Sequence, residues 1–142
     1  MRGLKEDDPG AGRFTAPHYY IIDIMTWRVL VHPEAREELR AVPAADRMAI
    51  ENAIEKLTVL GDQLGTPHSS AIRGTGETLR ELRPRAGRSR WRALYRRVGD
   101  QFVVAAISPE AAVNATKFRG AVAKALARLS ALDLVQDGER RR

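Results

Sequence analysis

Two neighbouring stretches leave this chain few choices of fold. "RWRALYRRV" (Arg90–Val98) alternates in character, and "FVVAAI" (Phe102–Ile107) has no polar face. Side chains alternate across a strand, so the first stretch predicts a β-strand with two unlike faces. The second predicts a strand near the centre of a sheet. Only Gly99, Asp100 and Gln101 separate them, which predicts a hairpin. A third β segment, about Leu79 to Arg85, precedes them across the short connector "RAGRS". The three should form an antiparallel meander.

The remaining elements follow from caps and periodicity. "WRVLVH" (Trp27–His32) is short and β-rich, hence a strand. Pro33 suits the first position of a helix, Glu34, Glu37 and Glu38 suit its positive end, and His32 suits a cap. Pro43 stops that helix. A second runs from about Ala45 to Leu60, with Ile50, Ile54, Leu57 and Leu60 on one face and Gly61 at its end. Gly61–Gly76 is rich in turn residues and reads as a loop. Asn114 can cap a last helix carrying Phe118, Val122, Ala125, Leu126, Leu129 and Leu132 on one stripe. The order is strand, αα-hairpin, three-stranded meander, helix: an α+β domain, with helices expected on one sheet face and cations on the other.

The domain is expected over residues 25–132. Residues 1–24 read as a disordered leader or a start-site artefact, because Met25 opens "MTWRVLVHPEA". A further strand in "HYYIIDIM" (His18–Met25) is the competing view. Residues 133–142 read as a flexible tail. A chain of 142 residues suits one modest core. It has no cysteine, which excludes disulfides and thiolate metal sites. No apolar run is long enough for a bilayer and no secretory signal is evident, so a cytoplasmic location is expected.

Charge is concentrated. Between Ile72 and Val98 nine arginines stand against Glu77 and Glu81, a local +7 where the whole chain carries +6. Such placement points to an acidic partner. Arginine in place of lysine favours planar, bidentate phosphate contacts. A solvated charged face is the bland alternative. Parity puts Trp91, Ala93 and Tyr95 on the core face and Arg88, Arg90 and Arg92 on the other. In the preceding strand it sets Glu81, Arg83 and Arg85 opposite Leu82. Arg83, Arg90 and Arg92 can converge there to bind phosphate. RNA cleavage by a 2′-hydroxyl also needs a base and an acid. Glu81 is a candidate base, though it suits equally a salt bridge to Arg83 or Arg92. His68 can approach the sheet edge, though a plain loop role is the commoner one. No zinc-protease, P-loop or nucleophile-elbow motif occurs.

These elements resemble a known family. "LGTPHSSAIRGTGETLRELRPRAGRSRWRALYRR" and "VVAAISPEA" are similar to the RelE/HigB/ParE toxins of type II toxin–antitoxin pairs, in the phage-derived, HigB-like branch. The resemblance spans roughly Trp27 to Leu132. It implies a RelE-like fold and a ribosome-dependent mRNA endonuclease (an mRNA interferase) that uses no metal or cofactor. It also implies a small helix-turn-helix antitoxin as partner, in a hetero-oligomer. Arg83 matches the Arg of "ELR", Arg92 the strand Arg at the scissile phosphate, and Tyr95 an aromatic that packs. Arg92, Arg83, Arg90 and Glu81 are then the catalytic candidates. Arg73, Arg85, Arg88, Lys117 and Arg119 are the RNA-binding ones. Two departures stand out. RelE itself has lysines where this chain has Leu79 and Glu81, and a basic "FVKK" run is replaced here by "SPEAAVNATKF". A ParE-like gyrase inhibitor, or a degenerate module that only binds antitoxin or nucleic acid, would share the fold.

Overall fold

The computed structural model describes residues 5–6, 19–22, 27–75 and 79–140. His18, Met25 and Glu77 lie outside the described residues, as does most of the segment expected to be a leader. Seven strands and three α-helices are found among those described: β1 (Lys5–Glu6), β2 (Tyr20–Ile22), β3 (Arg28–Val31), α1 (Pro33–Arg40), α2 (Ala44–Leu60), β4 (Ser69–Ala71), β5 (Arg80–Leu82), β6 (Trp91–Val98), β7 (Gln101–Pro109) and α3 (Ala115–Arg140). The fold is mixed α+β. Its sheet has the order β1-β2-β3-β7-β6-β5-β4. Five strands, β3 to β4 in that order, make its body, and β1 and β2 extend the edge.

Local chemistry sets the boundaries. His32 caps α1 by accepting a hydrogen bond at Nδ1 from Glu34 N at 3.0 Å, and Pro33 occupies the first turn. Asn114 Oδ1 accepts from Lys117 N at 2.9 Å and starts α3. Gly61 ends α2 with φ of +53°, and a Cβ there would lie 2.1 Å from the Trp27 indole, so glycine is required on both counts. α3 continues to Arg140, through the residues expected to be a tail.

β7 lies centrally, antiparallel to β6 and parallel to β3. The meander gains a strand within the turn-rich stretch expected to be a loop: Ser69–Ala71 pairs antiparallel with β5, Ser69 opposite Leu82. Three residues between turns carry too little alternation to be seen in sequence. Within the segment expected to be a leader, Tyr20–Ile22 pairs with β3. Tyr19 is buried edge-on to His32, and burial pushes its phenol pKa up to about 12, against the lowering pull of Arg128.

The expectation of helices on one sheet face is corrected. α1 and α2 cover one face, over Val29, Val31, Leu82, Ala93, Tyr95, Phe102, Val104 and Ile107. The opposite face carries Leu30, Leu79, Leu94, Val103, Ala105 and Ala106, and α3 covers it with Ala121, Ala125, Leu129 and Leu132. The physical reason lies in β7, since a strand apolar on both faces needs cover on both. A bulge helps. Leu94 pairs with Ala106 but Tyr95 with Val104, so Ala105 is the extra residue and joins Ala106 under α3.

Candidate functional site

With α3 over Leu94, the cationic face shrinks to the end of the sheet where β5, β6 and β7 meet the loops. Arg92, expected on an open surface, is only 2% exposed. Its Nη1 donates to the carbonyls of Ser89 at 2.7 Å and Trp91 at 2.8 Å. Its Nη2 donates to Glu110 Oε2 at 2.6 Å. Its Nε sits 3.6 Å from Glu81 Oε1, beyond hydrogen-bond length. Burial pushes the Arg92 pKa down from the ordinary arginine value, while Glu110 and Glu81 oppose the shift and Arg83 adds to it.

Glu81 is the hub. Its Oε1 accepts from Ser70 Oγ at 3.3 Å and lies 3.9 Å from Arg83 Nε. The Nε groups of Arg83 and Arg92 are both buried without a hydrogen bond, and both face this one oxygen. Two donors thus share one acceptor at ion-pair distance. Thus Glu81, Arg83 and Arg92 do come together. Arg90 joins only through its backbone: its carbonyl accepts from Glu110 N at 2.7 Å and its side chain is exposed.

Around this centre the arginines are exposed. Arg85 stands at φ of +55° in the short turn Pro84–Gly87, and Arg88 Nε donates to the Arg85 carbonyl at 3.2 Å. Arg73 is exposed at the β4–β5 turn. Lys117 and Arg119 are exposed on the first turns of α3, where Arg119 meets Thr116 Oγ1 at 3.4 Å.

Two residues belong to the site that sequence reasoning missed or set aside. Glu110 follows β7 by one residue, and nothing in "SPEAA" marks it as the partner of Arg92. His68 was read as a loop residue. Its carbonyl accepts from Arg83 N at 2.8 Å. Its side chain lines a cavity of about 300 Å³ with Arg83, Arg85, Lys56 and Asn52, floored by Leu64 and Leu82. The β4 pairing brings it there, as the expected approach of His68 to the sheet edge allowed. Among the described residues no group of three His, Asp or Glu side chains gathers as metal ligands would. No described helix is long and apolar enough to cross a membrane.

The family model of the phage derived protein Gp49-like (DUF891) proteins matches residues 37–107, half of the chain. The chain belongs to this family. Gp49-like proteins are associated with the toxins of toxin–antitoxin pairs, which is consistent with a toxin role and an antitoxin partner here. The match takes in Glu81, Arg83, Arg92 and His68 and stops short of Glu110 and α3. No curated protein matches the chain.

Proposed function

We propose that this Gp49-like protein is a RelE/HigB-like toxin that cuts mRNA on the ribosome without metal, and that a small helix-turn-helix antitoxin neutralises it in the cytoplasm. The observation that carries this reading is the cluster of Glu81, Arg83 and Arg92 beside the exposed Arg85, Arg88 and Arg90. In the reaction the 2′-oxygen attacks the adjacent phosphorus. A cyclic 2′,3′-phosphate forms and the bond to the 5′-oxygen breaks. Glu81 takes the 2′ proton, and His68, which lines the adjoining cavity with Arg83, supplies a proton to the leaving 5′-oxygen. Arg83, 31% exposed, stabilises the charge on the phosphorane. Arg85, Arg88 and Arg90 hold the strand on either side, with Arg73, Lys117 and Arg119 further out. Arg92 is a positioning residue, since it holds Glu81 and Glu110 apart and in place.

The test is mRNA cleavage in purified translating ribosomes. Wild type should cut, while Arg83→Ala and His68→Ala should each lose about a hundredfold or more in rate with the fold intact. Absence of any cut, where a known interferase cuts, would sink the reading. Arg92→Ala is a poorer probe, because it takes the ion-pair partner from partly buried Glu110 and one of two cations from Glu81, at a cost of about 3–5 kcal/mol.

A second reading rests on the same burial. The Arg92 guanidinium is bonded to two carbonyls and Glu110, which leaves it little for a substrate. A ParE-like gyrase inhibitor needs binding without such chemistry. Loss of supercoiling activity in a purified gyrase assay, with mRNA left whole, would favour it.

A further inference from the structure

A second polar groove lies at the other end of β5 and β6. Its volume is about 570 Å³, and Arg80, Arg97, Tyr95 and Asp62 line it beside the turns at Gly65 and Gly99. Trp91 and Arg97 are six positions apart on β6, so the groove is roughly 20 Å along the strand from the Arg88–Arg90 rim.

Its arginines are oriented in the same manner. Arg80 Nε donates to Ser69 Oγ at 2.9 Å, and Ser69, itself fully buried, lies 2.6 Å from Tyr95 Oη. This chain of three satisfies polar groups that would be costly to bury alone. Among the described residues nothing further bonds the Arg80 guanidinium, so both Nη groups remain for another acceptor. Arg97 Nε donates to the Gly99 carbonyl at 2.7 Å, its guanidinium lies 5.0 Å from the centre of the Trp27 ring, and its Nη1 pairs with Asp62. Each arginine is thus tied by Nε and presents its fork. Tyr95 borders the groove but is only 2% exposed; it packs edge-on against Phe102 at 5.8 Å and its hydroxyl meets Ser69. Planar forks suit a tetrahedral oxyanion, and the volume falls in the range of small-molecule sites. The paired Asp62 carboxylate occupies Arg97 as an oxyanion would, so it acts as an internal competitor.

We propose that this groove binds a phosphate ester of nucleotide size through Arg80 and Arg97, in competition with Asp62, with Tyr95 positioning Arg80 through Ser69. The proposal stands apart from the cleavage reading, since none of its residues serves that chemistry.

The test is calorimetric titration of the full chain with inorganic phosphate, adenosine 5′-monophosphate and a short single-stranded RNA with and without a 5′-phosphate. Saturable binding of a phosphorylated probe is expected. Arg80→Ala should weaken it by about tenfold or more, as loss of a charged hydrogen bond does. Tyr95→Phe should weaken it less. Asp62→Asn, at an exposed position, should tighten it. Arg88→Ala with Arg90→Ala should leave adenosine monophosphate binding unchanged. The tightest probe names the source of the phosphate: a free nucleotide, or the end or the body of an RNA strand. The proposal is overturned if no probe saturates below roughly 10 mM, or if Asp62→Asn fails to tighten binding. The Asp62 arm decides even if Arg80→Ala does not fold.

Discussion

His32 ends β3 and caps α1 with the same ring. The cap requires a lone pair on Nδ1, so the neutral imidazole is the working form. Burial lowers its pKa from 6.5, Arg128 lowers it further, and Glu34 and Glu38 pull the other way. The sign follows from linkage. Between the unfolded value and the lower folded one, the unfolded chain binds the proton and the native chain does not. The stability from neutral His32 is therefore complete above 6.5 and is lost as pH falls from there through the folded pKa. His32→Asn keeps a cap without a titrating group. Melting curves from neutral to mildly acidic pH should show wild type losing more of its transition temperature than His32→Asn. Parallel losses would mean that another group carries the acid sensitivity. Sequence could place this cap, because Pro33 and Glu34 mark the helix start locally. It could not place the Arg128 charge, which comes from a helix 96 positions away in the chain.

At the scale of elements, β7 outruns its parallel neighbour. β3 pairs with it only as far as Val104, so among the described residues Ala105 and Ile107 face an edge without a strand. Glu38 of α1 and Arg128 of α3 close that edge. Glu38 Oε1 accepts from Ile107 N at 3.0 Å, and Arg128 Nη1 donates to the Ala105 carbonyl at 2.7 Å. The two side chains also bond each other, Arg128 Nη2 to Glu38 Oε2 at 2.9 Å. Burial alone would lower the Arg128 pKa, yet the bonds and charges of Glu38 and Glu34 outweigh it and raise it. Helices on opposite sheet faces are thereby joined around one edge. Glu38→Ala or Arg128→Ala should each cost about 2 kcal/mol, the worth of a charged hydrogen bond to a partly buried group. The double variant should cost clearly less than the sum, because either change breaks the shared bond. Urea unfolding measures this, and additive losses would show that the two ties act separately. The helices and the β6–β7 hairpin were legible from period and caps. The side of the sheet that α3 covers was not, since a stripe says that a helix packs and leaves open against what. The Ala105 bulge, the strand at Ser69 and the Glu38–Arg128 tie are long-range facts with no local signature.

Across the whole molecule, the arginine excess divides by burial. Arg92 spends its charge on Glu110 and two carbonyls, Arg128 on α1, and Arg97 on Asp62. Arg73, Arg85, Arg88 and Arg90 remain exposed, and all but the first surround the β5–β6 connection. A polyanion should thus meet a local patch, in which net charge matters less than position. For single strands, log affinity falls with log salt by about 0.7 per phosphate neutralised. Arg83, Arg85, Arg88 and Arg90 together predict a slope of roughly −3 for single-stranded RNA. Removing Arg88 and Arg90 should make it shallower by about 1.4. Removing Arg40 and Lys124, two exposed cations elsewhere on the fold, subtracts the same charge and should change the slope little. Fluorescence anisotropy across a salt series reads both. If the two double variants shift the slope equally, binding follows net charge alone. The β5–β6 connection then has no special hold on RNA, and the nine arginines between Ile72 and Val98 are a charged face without a directed partner.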